Sequence, residues 1–259
     1  MMKKIKRENL YLHMPVSYLI KDIESFLSYS FNGQIYINSE FVDNYSLSDI
    51  YYIKEAFDKK KLKRTLHGPF VDLNCGSSDS KVRAVTKERF LKTVEIAQLL
   101  KAESITFHSH YEPIFYKKHF NHWIENSKTV WGDVLEKAGK LGVQVLIENS
   151  IENTPAAVLR LTNELVNLNA CFDVAHYNAF YQEGWDNALD AYPGDIIKEV
   201  HLSDNDGKSD LHRELGGGNI NFDMFFLKIL DKVVDANFVI ESHSMEDVEK
   251  SIDFMRKFM

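Results

Sequence analysis

Residues 201–212 contain side chains of the kinds that bind divalent metal ions, among them His201, Asp204, Asp210 and His212. Neutral imidazole and ionised carboxylate supply the nitrogen and oxygen ligands that borderline metals such as zinc take. In an extended segment, residues two apart point to the same side, so Asp210 and His212 could bind one ion together. A polar surface loop explains the same composition, because Asp, Asn, Ser and Gly are common in turns. The side chains at the ends of the other predicted strands help to decide between a metal site and a polar surface loop.

Eight short apolar runs alternate with longer amphipathic segments along the chain. The runs cover residues 10–16, 34–38, 64–70, 104–110, 143–149, 169–176, 196–204 and 237–243. Helices are predicted at 47–60, with Ser46 or Ser48 as N-cap, and at about 80–101, 119–141 and 245–258. Eight such units in 259 residues predict an α/β fold, a single (β/α)8 TIM barrel forming one domain over residues 1–259. The rival is a doubly wound sheet with an extra helical layer.

Composition excludes several classes of protein. With 44% hydrophobic and 27% charged residues the chain is typical of a globular domain, and its formal charge of −7 creates no general attraction to nucleic acid. Two cysteines, Cys75 and Cys171, cannot form a disulfide framework and suit a reducing compartment. Neither a signal-peptide core nor a run of about 18 apolar residues is present, so we expect a cytoplasmic protein without membrane contact.

Candidate ligands and acid–base groups follow the ends of the last six predicted strands. They are His67, His108, His110, Glu148, Asp173, His176, His201, Asp204, Glu241 and His243. In a TIM barrel these ends meet at one mouth, where active sites of this architecture lie. A lone histidine there is usually structural, but Glu148 and Glu241 follow strongly apolar runs, where an unpaired charge costs several kcal/mol. A shared metal ion would remove that cost. His243 is not expected to be a ligand, because it points opposite to Glu241 if the strand continues.

Seven motifs, taken in order, resemble the xylose isomerase-like barrel superfamily: HGPFVDLN, FHSH, LIENS, CFDVAH, HLSDNDGK, DLHRELGGGNI and VIESH. That superfamily contains sugar and sugar-phosphate isomerases and epimerases, together with abasic-site nucleases of the endonuclease IV type. The resemblance runs from the third strand to the eighth, and the first two strands carry no diagnostic motif.

The isomerase and epimerase branch implies one divalent ion, held by residues that match Glu148, Asp173, His201 and Glu241. In that branch the ion polarises a carbonyl and the neighbouring hydroxyl, while the two glutamates act as general base and acid on opposite faces of an enediolate. His176 would contact a substrate oxygen. Where ketose epimerases usually carry an arginine shortly after the seventh-strand histidine, this chain carries Lys208, a candidate substrate-binding residue.

The nuclease branch implies three zinc ions and nine ligands, each with a match here. His67 and His108 would hold the first ion with Glu148 as a bridge, whereas Asp173, His201 and Glu241 would hold the second. The third would be bound by His176, Asp210 and His212. Such a centre would activate a hydroxide and neutralise phosphoryl oxygens of a phosphodiester.

Features for holding DNA are missing. Leu211 stands between Asp210 and His212 where the nuclease carries an arginine, and the second strand end, INSEFVDNY, is acidic where a DNA-penetrating loop should be basic and aromatic. DNA binding depends largely on phosphate neutralisation by Lys and Arg, so missing cations weigh more than metal ligands that are present.

The sequence therefore favours a divalent-metal-dependent isomerase or epimerase acting on a small sugar, sugar phosphate or polyol. We expect one to three ions, Zn or Mn, with Mg or Co as alternatives. The alternative function is an endonuclease IV-like phosphodiesterase acting on abasic-site DNA or a smaller phosphoester, which would make nucleic acid a partner. A barrel that has lost catalysis and binds metal ranks third, because every expected ligand is kept.

Overall fold

A closed barrel of eight parallel strands forms the centre of the computed structural model, which describes residues 3–259. Each strand pairs with the next along the chain, and the first pairs with the last. The strands are β1 Leu10–Pro15, β2 Asn32–Tyr36, β3 Arg64–His67, β4 Ser104–His108, β5 Gln144–Glu148, β6 Leu168–Asp173, β7 Ile197–Leu202 and β8 Asn237–Ile240. The predicted (β/α)8 TIM barrel is confirmed, and the open-sheet alternative was wrong.

Helices follow the strands and lie outside the barrel. They are α1 Val16–Ser28, α2 Ser39–Asn44, α3 Leu47–Lys60, α4 Ser80–Leu100, α5 Pro113–Tyr116, α6 Phe120–Leu141, α7 Ala156–Glu164, α8 Val174–Phe180, α9 Trp185–Ala191, α10 Phe222–Lys232 and α11 Met245–Met255. Within residues 3–259, no helix combines the length and the apolar character that crossing a membrane requires.

Local signals explain the helix boundaries that the sequence predicted. Helix α3 begins after Ser46, whose hydroxyl accepts the N–H of Asp49 at 3.2 Å. It ends where Lys61 adopts a left-handed conformation with φ of 57°. Helix α6 ends at Gly142, with φ of 70°, as a C-cap glycine predicts.

Three strands end three residues earlier than the sequence predicted. Strand β3 stops at His67 because a Gly-Pro pair follows and proline lacks an N–H for the sheet. Strand β6 stops at Asp173, whose Oδ1 accepts the N–H of His176 at 2.6 Å and caps helix α8. His176 therefore lies on a helix. Strand β8 stops at Ile240, which frees the next residues from strand alternation.

The barrel interior holds two layers of polar side chains. Gln34 on β2 and Thr106 on β4 both donate to Glu199 on β7, although these three strands are not neighbours. The three side chains therefore meet inside the barrel. Because strand residues two apart share a face, the same strands carry a second layer nearer the mouth. Its members on these strands are Tyr36, His108 and His201.

Candidate metal centre

All nine ligand candidates lie at the carboxyl end of the barrel, in three adjoining groups. In each group one ligand atom per residue lies within 4.8 Å of the others. The groups are His67, His108 and Glu148; Glu148, Asp173, His201 and Glu241; and His176, Asp210 and His212. They coincide with the three sets that the family resemblance implied. We call the second group the quartet and the third the loop group.

Glu148 joins the groups. It is fully buried at the end of β5, and its two oxygens face four histidines. Oε1 lies 2.9 Å from His201 Nδ1 and 3.6 Å from His176 Nδ1. Oε2 lies 3.2 Å from His67 Nε2 and 3.5 Å from His108 Nε2. A carboxylate with acceptors turned in two directions can bridge neighbouring cations.

Unpartnered oxygens show that the quartet suits a cation. Among the described residues, Asp173 Oδ2 and Glu241 Oε2 are buried oxygens that accept no hydrogen bond, although His201 Nδ1 lies 3.0 Å from Glu241 Oε2. Leaving such a group without a hydrogen bond costs about 1–3 kcal/mol, and more if it is charged. Both belong to the same four-residue group, in which one ligand atom per residue lies within 4.8 Å of the others. The donor set of carboxylates and one imidazole therefore fits a divalent metal ion.

Backbone carbonyls orient three of the histidines. In His67, His176 and His212, Nδ1 lies 2.9, 2.8 and 3.2 Å from a carbonyl oxygen. The carbonyls belong to Gly68, Asn149 and Glu241. Donation from Nδ1–H leaves Nε2 as the free nitrogen, and Nε2 is the atom that faces the carboxylates in His67 and His212. Metal-binding histidines are commonly fixed in this way.

Glu148 and Glu241 are ionised, whereas burial raises the pKa of Asp173 to about 6. Burial alone would raise the pKa of Glu148, but the positive charge of His201 holds it well below its usual range. Burial would likewise raise the pKa of Glu241, and its contacts with His13 and His201 hold it well below. Protonated His201 thus supplies positive charge that a metal ion would otherwise supply. Metal binding should release protons and weaken in acid.

The loop group is a compact charge cluster formed by Asp210 and His212, on the loop between β7 and α10, and by His176 on α8. Asp210 lies 3.3 Å from His176 Nε2 and 3.1 Å from His212 Nε2. Burial would lower the pKa of His212, yet Asp210 and Glu241 raise it to about 9. The aspartate and histidine that the sequence paired do face one another, although His212 is not extended, having a φ of 46°.

Asp204 is not a metal ligand in this arrangement, which corrects one expectation. It is fully buried and accepts N–H groups of four residues at 2.8–3.2 Å. The donors are Asn205, Gly216, Gly218 and Ile220. A side chain on Gly218 would collide with Asp204 and with the Asn205 carbonyl, so glycine is required there. Asp204 therefore holds the loop that carries Asp210 and His212.

Two cavities adjoin the metal-binding groups. The larger, of about 720 Å³, is lined by His13, Lys21, Tyr36 and Glu241, with an apolar wall that includes Met14 and Met245. The smaller, of about 450 Å³, lies beside His110 and Phe180. Phe70, His108, His176 and Asp210 line both. Lys21 is the single Lys or Arg that lines either cavity in the described part of the chain.

The positions of Lys208 and His243 differ from those that the sequence predicted. Lys208 is exposed and does not line either cavity, so the structure does not bring this substrate-binding candidate to the site. His243 lines the larger cavity and stacks on His212, with 4.4 Å between ring centroids. Because β8 ends before Glu241, the strand alternation that argued for an opposite direction does not apply.

Two residues that the sequence did not place among the ligands support the site. His13 Nδ1 lies 3.0 Å from Gln34 Oε1 and 3.7 Å from Glu241, and its pKa is lowered by burial to about 4. Glu199 lies beneath His201. The available signal was a glutamate within the apolar run that carries His201, because such a charge is rarely buried without a role.

Glu152, on the loop after β5, gives a testable pH dependence. It is buried, accepts hydrogen bonds from Ser109 and the Ser150 N–H, and burial raises its pKa to about 8. The folded state then binds more protons than the unfolded state between about pH 5 and pH 8, so this residue's contribution to stability falls as pH rises. In Glu152→Gln the free energy of unfolding should decline less over that interval, by on the order of 3 kcal/mol. Urea unfolding across the interval measures this, and parallel declines in both proteins would contradict it.

Comparison with known proteins identifies the family to which the chain belongs. The profile described as "Xylose isomerase-like TIM barrel" matches residues 31–258. The chain belongs to the xylose isomerase-like TIM barrel family. An uncharacterised protein of Methanocaldococcus jannaschii is 28% identical over 227 residues, covering 83% of this chain and 76% of that protein.

Two solved members of similar fold are informative. A D-tagatose 3-epimerase-like protein superposes with a TM-score of 0.83 at 25% identity, covering 96% of each chain. A Thermus thermophilus protein soaked with ZnCl2 superposes with a TM-score of 0.78, also at 25% identity, covering 96% of this chain and 97% of that one. The structural neighbours of this xylose isomerase-like barrel thus include epimerase-like proteins.

Proposed function

We propose that the protein is a divalent-metal-dependent isomerase or epimerase of a small sugar, sugar phosphate or polyol. The observation that carries the proposal is the quartet, in which two buried carboxylate oxygens accept no hydrogen bond and which meets the larger cavity at Glu241. A cavity of about 720 Å³ is within the range of small-molecule sites. The similarity to a D-tagatose 3-epimerase-like protein supports the same chemistry.

Glu148, Asp173, His201 and Glu241 would hold the ion. Zinc or manganese suits this mixed oxygen and nitrogen donor set, with magnesium or cobalt as alternatives. When bound, the ion supplies Lewis-acid polarisation of a substrate carbonyl and the adjacent hydroxyl. The structural similarity to a protein soaked with ZnCl2 is consistent with zinc.

Proton transfer is assigned to the two glutamates. Glu241 lines the cavity, and its Oε2 lies 3.0 Å from the same His201 nitrogen that Glu148 approaches at 2.9 Å. Both are ionised, as a general base must be before it removes a proton from carbon. One glutamate would take the proton from carbon, and the other, after taking up a proton from water, would deliver it to the opposite face. His176, which lines both cavities, would hold a substrate oxygen.

A phosphodiesterase of the endonuclease IV type is the second candidate. Its support is that nine donors form three adjoining groups, two of which share Glu148, as a trinuclear centre requires. The cavity walls oppose it, because Lys21 is the single Lys or Arg lining them in the described chain. A nucleic-acid backbone needs several phosphate contacts from Lys and Arg. We therefore rank this function, with nucleic acid as partner, second.

Metal content and proton exchange distinguish the two candidates. Protein purified without added metal is analysed for elements, then incubated with ketoses, aldoses and their phosphates in D2O. The proposal predicts deuterium incorporation at the carbon beside the carbonyl, abolished by a chelator and restored by Zn2+ or Mn2+. Near three zinc ions per chain, with nicking of an abasic-site duplex and no exchange into any sugar, would overturn it in favour of the nuclease.

A further inference from the structure

Glu199 is a carboxylate enclosed inside the barrel, one layer below the quartet. It is fully buried on β7, two residues before His201. Its Oε1 accepts hydrogen bonds from Gln34 Nε2 at 2.7 Å and from Thr106 Oγ1 at 2.5 Å, and it lies 3.2 Å from His201 Nε2. Burying a charge in a barrel core is expensive, and an apolar residue of similar size would fill the same volume. A specific use of the charge would explain its position.

His201 differs from the three histidines whose free nitrogen is set by a backbone carbonyl. Its Nδ1 faces the quartet, 2.9 Å from Glu148 and 3.0 Å from Glu241. Its Nε2 faces the barrel interior, where the neighbours are Glu199 Oε1 and Gln34 Nε2, the latter at 3.1 Å. A ligand bound at Nδ1 leaves the proton on Nε2. Of these two neighbours, only Glu199 can accept that proton, because the Gln34 amide nitrogen is itself a donor.

We propose that Glu199 is a positioning residue that fixes His201 as an Nδ1 metal ligand. This inference rests on the proposed metal-dependent function. The carboxylate accepts Nε2–H, sets the ring's orientation and increases the basicity of Nδ1, while Gln34 and Thr106 hold the carboxylate in position. A carboxylate, being charged, is a stronger acceptor than the carbonyls used by the other histidines. His201 would therefore be the most firmly oriented imidazole of the centre.

The test compares Glu199→Gln with Thr65→Val as a matched control. Thr65 is fully buried on β3 beside Gln34, and among the described residues its hydroxyl has no hydrogen-bond partner, so only Glu199→Gln alters the group that faces His201. Zinc affinity, measured by competition with a chromophoric chelator, should fall roughly 10–100-fold in Glu199→Gln. It should change by less than about threefold in Thr65→Val. Circular dichroism of the zinc-free proteins checks that both variants fold.

A second readout does not depend on affinity. In the zinc-loaded wild type, the Nε2–H proton of His201 should give a downfield NMR resonance, which should move upfield in Glu199→Gln because an amide oxygen is a weaker acceptor. Equal zinc affinity in the wild type and Glu199→Gln, or equal losses in both variants, would overturn the positioning role alone. Failure of the wild type to bind zinc, manganese, magnesium or cobalt would overturn the proposed function as well.

Discussion

Glu148→Gln is expected to lower bound metal and to reduce turnover by roughly 10³-fold or more. Glu148 belongs to both the first group and the quartet, and its two oxygens approach four histidines. Glutamine keeps the shape but removes the charge and replaces one acceptor oxygen by a donor nitrogen. That nitrogen would face either His201 or His67, whose ring nitrogens also carry protons when charged. Elemental analysis and deuterium exchange into a sugar substrate measure the two effects.

Glu152→Gln is the matched control for Glu148→Gln. Glu152 is as deeply buried and only four residues away, but its pKa of about 8 leaves it largely neutral at pH 7, so glutamine preserves its charge. Metal content and turnover should stay within about twofold of the wild type. If Glu148→Gln also retained full metal and activity, the assignment of Glu148 as ligand and acid–base group would be wrong.

The barrel could be predicted because its signals are local. Eight apolar runs separated by segments of helical period leave few architectures for a chain of this length, and capping by Ser46 fixed the start of one helix. Strand ends were less accurate, because the sequence did not show that Asp173, the last residue of β6, also caps a helix, and residues 174–176 were therefore assigned to the strand. The error moved His176 from a strand to a helix without moving it away from the site.

The ligand groups were predicted only through the order of motifs at strand ends. Barrel closure brings residues such as His67 and Asp210, distant in sequence, to one mouth, and the family resemblance supplied the grouping. What could not be predicted depends on tertiary contacts. The exposed position of Lys208 and the hydrogen bonds made by Asp204 follow from the path of one loop, which has no periodicity. Cavity walls such as Met14 and Met245 come from opposite ends of the chain.

Removing the Asp204 side chain, which anchors the loop, should abolish metal binding by the loop group. Asp204→Ala removes the acceptor of four backbone N–H groups, some of them buried, and each unsatisfied group costs about 1–3 kcal/mol. We expect the free energy of unfolding to fall by about 3–6 kcal/mol. Because the loop carries Asp210 and His212 but not the quartet, the protein should lose the metal held by the loop group and keep the metal held by the quartet.

Two variants separate loop stability from ligand loss. Asp206→Ala removes an exposed aspartate of the same loop that accepts the N–H groups of Lys208 and Ser209, and it should cost less than about 1 kcal/mol with no change in metal content. His212→Ala removes a ligand while leaving Asp204 in place, so it should lower the metal count without the large loss of stability. Denaturant unfolding combined with elemental analysis tests all three. An Asp204→Ala protein with wild-type stability would show that the loop is held by other contacts, whereas an unchanged metal count in His212→Ala would assign His212 to substrate binding.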